Sequence, residues 1–483
     1  MTLVTKSNYV DGAFVALDSS NDVLENRNPS NPSEVVERFV RADQALTERA
    51  LLAARRAAPA WARSNPQQRA DALDFIGTEI LARREELATL LAREEGKVLR
   101  EALGEVDRAG RSFKFYAQEA LRAEGEKYPS VRQDVGIDVF TQPLGVVAII
   151  APWNFPIAIP AWKIAPALCF GNCVVFKPAE RVPSSAWALA EIISRANLPA
   201  GVFNLLIGPG RSVGDTLIRS PLVDGISFTG SEHTGRQIAR LAAEGMKKVQ
   251  LEMGGKNPLI VLDDADLEQA VEVALNGSFY STGQRCTASS RVIVTEGIHD
   301  AFVARLAERT RALKVGDALQ AATDIGPVVD SRQLEQNLSY VASGLEQGAK
   351  LVCGGERIDN QAGAYLFTPA LFTEVTPQMR IYREEIFGPV LSVLKVSDYD
   401  AAFVAAEDTA FGLSAGIVTT SLRHAEHFKR HSSAGMVMVN LPTAGVDYHV
   451  PFGGNGASSL GSREQGTHAR QFFTRVKTTY QLA

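Results

Sequence analysis

Short apolar runs alternate with runs of helical length between residues 131 and 250, and this alternation strongly limits the folds open to the chain. The apolar runs contain no charged residue, which is typical of parallel strands that helices cover on both faces. We therefore predict an α/β fold, with strands over residues 146–150, 173–176, 203–207 and 225–228. Sheets of this kind bind ligands at the carboxyl ends of their strands, so the residues that follow these strands are candidates for a site.

A second strand–helix alternation begins after residue 255, so the 483 residues contain more than one α/β unit. Its predicted strands cover residues 259–262, 291–295, 390–396 and 436–440. We assign residues 1–130 and 141–250 to a first domain, to which residues 441–470 return, and residues 251–440 to a second. Residues 471–483 alternate weakly between apolar and polar, as expected of a strand that reaches a partner subunit.

The composition argues against several classes of protein. A net charge of −5 without a basic block argues against nucleic acid as a partner. Residues 145–162 carry no charge, but Pro152, Pro156 and Pro160 would repeatedly break a membrane-spanning helix, so we expect no membrane insertion. The N-terminus lacks the apolar core of a signal peptide and the four cysteines are scattered, so we expect a cytoplasmic protein.

Two residues with reactive side chains, Glu252 and Cys286, lie in glycine-containing turns. Glu252 ends a predicted strand and precedes two glycines, and Cys286 follows a predicted helix and a polar loop. A thiol and a carboxylate on separate turns suit a covalent mechanism that needs a nucleophile and a base. A single cysteine is more often part of a core, but the Gly, Gln, Arg and Thr residues around Cys286 do not resemble one.

Polar and glycine-containing segments follow three of the predicted strands. Residues 208–214 (GPGRSVG) would let a dinucleotide approach a helix N-terminus, although they equally fit an ordinary strand-to-helix turn. Residues 228–231 (FTGS) repeat this design one strand later, and residues 177–180 (KPAE) provide a lysine and a glutamate that can bind ribose hydroxyls. Taken alone, that charged pair would be interpreted as ordinary surface charge.

No metal site is predicted. His424, His427 and His431 share one helix face, but that helix is basic and solvated and has no cysteine nearby. Cys169 and Cys173 lie in an apolar run without histidines, which favours core packing over metal ligation.

Seven segments together resemble the aldehyde dehydrogenase superfamily, in its order and at its spacing over nearly the whole chain. They are residues 152–156 (PWNFP), 177–180 (KPAE), 228–231 (FTGS), 252–256 (EMGGK), 283–286 (GQRC), 385–389 (EIFGP) and 451–454 (PFGG). The resemblance implies an aldehyde dehydrogenase-like fold with a Rossmann-type NAD-binding domain and an α/β catalytic domain. It also implies small bridging strands for oligomerisation at residues 131–140 and 471–483, in a homodimer or a homotetramer.

The resemblance implies a role for each segment. Cys286 would be the nucleophile, Glu252 the base that activates water, and Asn154 an oxyanion donor. The residues expected to bind the cofactor are Trp153, Lys177, Glu180, Gly210, Gly214, Gly230, Ser231, Glu385 and Phe387. Glu180 favours NAD, because a carboxylate repels a 2′-phosphate, while Lys177 can accommodate that phosphate and leaves NADP open. Relatives that acylate coenzyme A typically lack the base, so Glu252 indicates that a carboxylic acid is released.

The substrate is inferred from residues 157–163, 283–290 and 439–449, which look most like those of α-ketoglutarate semialdehyde (2,5-dioxopentanoate) dehydrogenases. Succinic semialdehyde dehydrogenases resemble the chain too, but they usually carry arginines where Trp162 and Tyr280 stand. Arg285, beside the nucleophile, is our candidate partner for the carboxylate of a small acidic aldehyde. It fits equally well a salt bridge that points away from the site.

The sequence is also consistent with other functions. A general aliphatic aldehyde dehydrogenase is an alternative, and a noncatalytic structural protein with this fold is another, although Cys286, Glu252 and Asn154 are all intact. The family usually has a lysine two positions after PFGG, whereas residues 455–457 are NGA here. That loop borders the substrate entrance or a subunit contact in the family, so the change bears on the choice of substrate.

Overall fold

Two large sheets hold the predicted strands. The structure is a computed structural model that describes residues 4–16, 22–122 and 125–482. The first predicted set of strands is observed as Val146–Ile150, Cys173–Lys177, Phe203–Leu205 and Gly225–Thr229. The second is observed as Asn257–Val261, Ser289–Thr295, Val390–Val396 and Met436–Val439. Both sets are therefore confirmed, with small shifts at the strand ends.

In the described part of the chain, the first sheet has eight strands. Their order across the sheet is Ser459–Leu460, Lys248–Glu252, Gly225–Thr229, Val146–Ile150, Cys173–Lys177, Phe203–Leu205, Tyr9–Val10 and Ala13–Phe14. The five longer central strands are parallel. The chain moves from Val146–Ile150 towards one edge and then crosses to Gly225–Thr229 on the other side. The carboxyl ends of these two strands therefore flank the point where such a sheet binds its ligand.

Helices and this sheet share one hydrophobic core. The helices are Gln44–Trp61, Pro66–Ala82, Arg84–Glu95, Leu99–Glu119, Ala158–Cys169, Pro183–Ser194, Asp215–Arg219 and Glu232–Glu244, with a π-helical turn at Gly210–Gly214. The uncharged run at residues 145–162 forms the strand Val146–Ile150, a loop and the first five residues of the helix Ala158–Cys169, which is buried throughout. No helix within the described ranges is long and apolar enough to cross a membrane.

The second large sheet has seven strands in the part of the chain that is described. Their order is Lys350–Cys353, Ala370–Thr373, Val390–Val396, Ser289–Thr295, Asn257–Val261, Ser414–Val418 and Met436–Val439, and only the first is antiparallel to its neighbour. The helices that follow or cover its strands are Leu267–Phe279, Glu296–Ala312, Ser331–Glu346, Arg380–Arg383, Tyr399–Glu407 and Leu422–His431. A 3-10 turn, Tyr280–Gly283, follows the first of these helices.

A third, smaller sheet projects from the molecule. Its strands are Glu126–Pro129, Val135–Pro143 and Thr474–Leu482, and the last two pair along their whole lengths. Val476 and Leu482 are 72% and 71% exposed, so this arm leaves apolar side chains uncovered in the single chain. The remaining strands are Thr5–Lys6, Val23–Asn28, Asn31–Val40, Arg357–Ile358, Leu366–Phe367, Phe411–Gly412 and Asn455–Gly456, and two short helices are Thr467–Ala469 and Arg470–Phe473.

Candidate active site

Two adjoining cavities open at the carboxyl ends of the first sheet. The larger has a volume of about 850 Å³, and its lining includes Lys177, Glu180, Gly210 and Gly214. The smaller has a volume of about 300 Å³, and its lining includes Asn154, Cys286, Glu385 and Phe387. The two share Trp153, Gly230 and Ser231. All nine predicted cofactor residues thus line one cleft, which ends at Cys286 and is large enough for a dinucleotide.

The larger cavity carries groups suited to phosphate and ribose. Ser231 caps the helix Glu232–Glu244, and its hydroxyl accepts a hydrogen bond from the amide of Thr234 (3.4 Å), so the positive helix end borders the cavity. Burial lowers the pKa of Lys177, and the nearby carboxylate of Glu180 opposes this shift. Arg41 donates to Glu180 (3.2 Å). Sequence reasoning missed Arg41, because it lies far away in the chain and outside every motif.

Two aromatic rings border the smaller cavity. Trp153 and Phe387 meet edge to face, with 5.3 Å between ring centroids. Phe387 has a left-handed backbone (φ 60°), and the amides of Gln333 and Gln336 donate to the carbonyl of the preceding residue (3.3 and 2.8 Å). Because a left-handed conformation is unfavourable for a side chain of this size, these two glutamines stabilise the loop that presents Phe387.

The two glycines after Glu252 make room for Glu385. A side chain at Gly254 would put its first carbon 2.0 Å from a carboxylate oxygen of Glu385, and the amide of Gly255 donates to that carboxylate (3.0 Å). Burial raises the pKa of Glu385 to about 7. The motifs at residues 252–256 and 385–389 therefore contact each other directly.

A strained turn presents Cys286. The residues Ser281, Thr282 and Gly283 are consecutive and left-handed, with φ of 53°, 55° and 64°, and only the glycine adopts this conformation without strain. Asn257 donates to the carbonyl of Cys286 (2.7 Å) and fixes the far side of the turn. Burial raises the pKa of Cys286 to about 12, and the carboxylates of Glu385 and Glu252 add to this shift. The thiol must therefore lose a proton before it can act as a nucleophile.

A buried ion pair holds the loop that carries Asn154. The side-chain amide of Asn154 donates to the carbonyl of Gln284 (2.9 Å), which brings it beside Cys286. Behind it, Lys97 donates to the carbonyl of Asn154 (2.7 Å) and to Glu105 (2.6 Å). Glu105 also accepts a hydrogen bond from the amide of Ile157 (3.0 Å). Sequence reasoning missed this pair, because Lys97 lies in the loop before the helix Leu99–Glu119 and Glu105 lies within that helix, a spacing that gives no local signal.

Glu252 is buried beside the cleft, and it is not among the residues that line either cavity. Its carboxylate accepts a hydrogen bond from the hydroxyl of Ser459. Burial raises the pKa of Glu252 well above its usual value, and the carboxylate of Glu464, which pairs with Lys163, raises it further. The charge of Glu252 raises the pKa of Cys286, so the two reactive groups lie within the range of electrostatic interaction.

Comparison with known proteins decides the family. A profile of the aldehyde dehydrogenase family matches residues 14–479. The chain belongs to the aldehyde dehydrogenase family. The α-ketoglutaric semialdehyde dehydrogenase of Bacillus subtilis (strain 168) is 41% identical over 99% of this chain and 99% of its own length. A betaine aldehyde dehydrogenase of Rhizobium leguminosarum bv. trifolii (strain WSM2304) is 40% identical over 98% of this chain and 96% of its own length.

Solved structures agree with this assignment. The crystal structure of betaine aldehyde dehydrogenase from Staphylococcus aureus in complex with NAD+ is 33% identical, with a TM-score of 0.96 over 100% of this chain and 95% of that chain. The aldehyde dehydrogenase-like fold expected from the sequence is therefore confirmed, and the protein is an enzyme of this family. The alternative of a noncatalytic structural protein is not supported, because Asn154 and Cys286 line the same cavity.

Arg285 is not placed as the substrate hypothesis requires in this aldehyde dehydrogenase. Its guanidinium donates to the carbonyls of Asn276 and Gly277 (3.1 Å for the latter), at the end of the helix Leu267–Phe279. The negative end of the helix and the nearby carboxylate of Glu101 both attract the cation. Arg285 is adjacent to Cys286 in sequence but points behind the strained turn, so it does not line the cavity that contains Cys286.

The other segments singled out from the sequence have ordinary surroundings in the aldehyde dehydrogenase fold. His427 and His431 stack on each other (4.2 Å), and His424 stacks on Tyr399 (4.4 Å). Within the described ranges, no group of three or more His, Cys, Asp or Glu side chains is arranged to hold a metal. Cys169 and Cys173 are buried. In the divergent 455–457 loop, Asn455 accepts a hydrogen bond from Arg463 (2.8 Å).

Proposed function

We propose that this aldehyde dehydrogenase oxidises α-ketoglutarate semialdehyde to α-ketoglutarate with NAD. The observation that carries the proposal is the single cleft that leads from Lys177 and Glu180 to Cys286 and Asn154. The similarity to an α-ketoglutaric semialdehyde dehydrogenase over the whole chain supports the choice of substrate. Betaine aldehyde dehydrogenases are about as similar, so the substrate needs a direct test.

The chemistry begins at the thiol. The thiol of Cys286 first gives up its proton to a water molecule, and the thiolate attacks the aldehyde carbon. The resulting oxyanion accepts hydrogen bonds from the Asn154 side chain and the Cys286 amide. Preorganised donors of this kind contribute about 3–4 kcal/mol each to the stabilisation of a transition state. Nicotinamide, when bound, supplies the acceptor for the hydride that leaves the thiohemiacetal carbon. The enzyme then carries a thioester on Cys286.

Glu252 completes the reaction as a base. The carboxylate takes a proton from the water that attacks the thioester, and the acid is released. A pKa raised by burial suits this role, since it brings the group towards the working pH. The carboxylate accepts a hydrogen bond from Ser459, so we infer that it turns towards Cys286 or acts through a water molecule during the reaction.

NAD is the proposed cofactor. Glu180 stands at the cavity beside Lys177, and a carboxylate at the ribose hydroxyls disfavours a 2′-phosphate. The salt bridge from Arg41 reduces this repulsion, and Lys177 offers a cation to a phosphate, so use of NADP at a lower efficiency is compatible with the site.

We further propose a homo-oligomer in the cytoplasm, built through the arm at Val135–Pro143 and Thr474–Leu482. The exposed apolar side chains on the arm favour burial against a second copy. The proposed division is a cofactor domain of residues 1–130, 141–250 and 441–470, a catalytic domain of residues 251–440, and bridging segments at residues 131–140 and 471–483.

The test is the formation of NADH from α-ketoglutarate semialdehyde, succinic semialdehyde, betaine aldehyde and propanal, each with NAD and with NADP. The proposal expects the highest kcat/KM for α-ketoglutarate semialdehyde with NAD, and almost no turnover in Cys286→Ala. A higher kcat/KM for any of the other three aldehydes would reject the substrate. Substantial turnover by Cys286→Ala would reject the mechanism.

A further inference from the structure

Arg108 stands at the end of an aromatic wall that begins at the nucleophile. Cys286 packs against an apolar cluster that contains Phe452. The ring of Phe452 packs on that of Trp162 (5.6 Å between centroids), and the guanidinium carbon of Arg108 lies 4.9 Å from the centroid of Trp162. Trp162 is itself fixed, because its indole donates to Glu464 (2.7 Å). Arg108 and Cys286 are close enough to interact electrostatically.

The guanidinium of Arg108 has unused hydrogen-bonding capacity. It donates to the side-chain oxygen of Gln465 (3.1 Å), while its buried Nε has no hydrogen-bond partner among the described residues. The nearby carboxylates on the same helix are engaged elsewhere, Glu105 with Lys97 (2.6 Å) and Asp107 with Arg84 (2.8 Å). A buried donor without a partner is costly, so the arrangement favours a ligand that supplies one.

The electrostatics of Arg108 agree with an incompletely paired cation. Burial lowers the pKa of Arg108 to about 10, which still leaves the side chain charged at neutral pH. Glu105, Cys286 and the exposed Asp447 act on it through their charges, in that order of size, but none of them forms an ion pair or hydrogen bond with Arg108 within the described ranges. A carboxylate ligand would therefore meet a charged arginine with free donors.

We propose that Arg108 binds the carboxylate of the substrate, with the carbon chain lying along Trp162 and Phe452 and the aldehyde at Cys286. Neither Arg108 nor Trp162 lines the cofactor cleft, so this subsite is separate from it. The inference rests on the proposed function, because α-ketoglutarate semialdehyde carries its carboxylate at the end opposite the aldehyde. It replaces Arg285 in the role that sequence reasoning assigned to that residue.

The arrangement explains how an acidic aldehyde is bound without an arginine at position 162. A cation from the helix Leu99–Glu119 stacks on Trp162 and takes the place of an arginine in the helix Ala158–Cys169. Arginine suits this position, since its planar fork binds a carboxylate through two hydrogen bonds while it stacks on a ring.

The first experiment measures kcat/KM for α-ketoglutarate semialdehyde and for pentanal, an uncharged aldehyde of the same chain length. In Arg108→Gln we expect a loss of about 30-fold or more for the semialdehyde and a much smaller loss for pentanal, since a hydrogen-bonded charge pair is removed for only one of them. Arg108→Lys should recover part of the loss. Arg111→Gln is the matched control, because Arg111 is exposed on the same helix. Equal losses for both aldehydes in Arg108→Gln would overturn the proposal.

The second experiment does not depend on the natural substrate. With pentanal as substrate, glutarate should inhibit the wild type competitively, and Arg108→Gln should raise its inhibition constant by about tenfold or more. Thermal melting of each variant shows whether the fold is kept. A wild type that prefers pentanal but is inhibited by glutarate through Arg108 would reject the proposed substrate and keep the carboxylate subsite. No competitive inhibition of the wild type, or equal inhibition of both proteins, would reject the subsite.

Discussion

The ammonium of Lys97 lies 2.7 Å from the main-chain carbonyl of Asn154. The same ammonium pairs with Glu105, whose carboxylate accepts hydrogen bonds from the amides of Ile157 and Ala158 (3.0 and 3.2 Å). One buried ion pair thus holds the loop at Asn154 and again at the start of the next helix. Lys97 touches no reacting atom and is a positioning residue for the oxyanion donor.

Replacing this lysine should slow the chemical step selectively. We expect Lys97→Met to lower kcat by about 10- to 100-fold, because the loss of an oxyanion donor costs about 100-fold or more and a misplaced donor keeps part of its effect. The dissociation constant of NAD, measured by calorimetric titration, should change little, since Lys97 lines neither cavity. An unchanged kcat in a folded Lys97→Met protein would show that the loop holds Asn154 without the ion pair.

Two further variants separate positioning from stability. Lys114→Met is the matched control, because its partly exposed ion pair with Asp74 (2.7 Å) should contribute at most about 1 kcal/mol. Lys97→Met leaves a buried carboxylate unpaired, which costs about 3–5 kcal/mol. The double variant Lys97→Met, Glu105→Gln should regain much of that stability, measured by thermal melting, and still show the reduced kcat.

Ser459 should control the pH dependence of deacylation. Its hydroxyl donates to Glu252 and thereby opposes the rise in the pKa of that carboxyl. Glu252 is a base only when ionised, so steady-state turnover should rise with pH through its raised pKa. Ser459→Ala removes the donor and raises this pKa further, so the rise in turnover should move to higher pH. The initial burst of NADH should persist. If Ser459→Ala does not shift the rise of turnover with pH, a group other than Glu252 controls that rise.

Glu385 should suppress the reactivity of Cys286. Its carboxylate raises the pKa of the thiol, and it is ionised above its own pKa of about 7. Glu385→Gln keeps the acceptor for the Gly255 amide and removes the charge, so alkylation by iodoacetamide above that pH should be about threefold faster or more. The control is Glu384→Gln, an exposed residue paired with Arg380 (2.9 Å). Equal rates in both variants would place Cys286 beyond the influence of Glu385.

Glu180 should set the preference between cofactors. Glu180→Ala removes the carboxylate and releases the Nε of Arg41, whose Nη1 stays paired with Asp22 (2.9 Å), so a 2′-phosphate loses a repulsion and gains a donor. We expect the ratio of kcat/KM for NADP to that for NAD to rise by about tenfold or more. Glu191→Ala, a surface carboxylate paired with Arg83 (2.6 Å), is the control. A ratio that stays the same in Glu180→Ala would remove this residue from the ribose site.

The sheets and the cleft were predictable because their signals are local. The uncharged run at residues 173–176 predicts a buried parallel strand, and the residues after such a strand fall at the ligand-binding edge of the sheet because of its topology. Motifs that follow different strands therefore meet in space, as Gly230 and Trp153 do. The domain boundaries and the roles of these residues stay predictions until they are tested.

Other parts of the site depend on contacts between distant segments. Lys97 contacts Asn154, Ser459 contacts Glu252, and Arg108 stacks on Trp162, and none of these pairs leaves a local pattern in the sequence. For Arg285, by contrast, a local sequence pattern suggested a contact that the structure does not contain. Adjacency to Cys286 suggested a substrate contact, but the left-handed turn before it and the helix carbonyls behind it direct the side chain away.

Trapping the thioester tests directly whether Cys286 carries the acyl group during the reaction. Glu252→Gln is mixed with α-ketoglutarate semialdehyde and NAD, and the protein is examined by intact mass and peptide mapping while NADH is measured. We predict about one NADH per subunit, an added α-ketoglutaryl group on the peptide that contains Cys286, and slow release of that group. An unmodified Cys286 after a full burst of NADH, or an acyl group on another residue, would contradict this prediction.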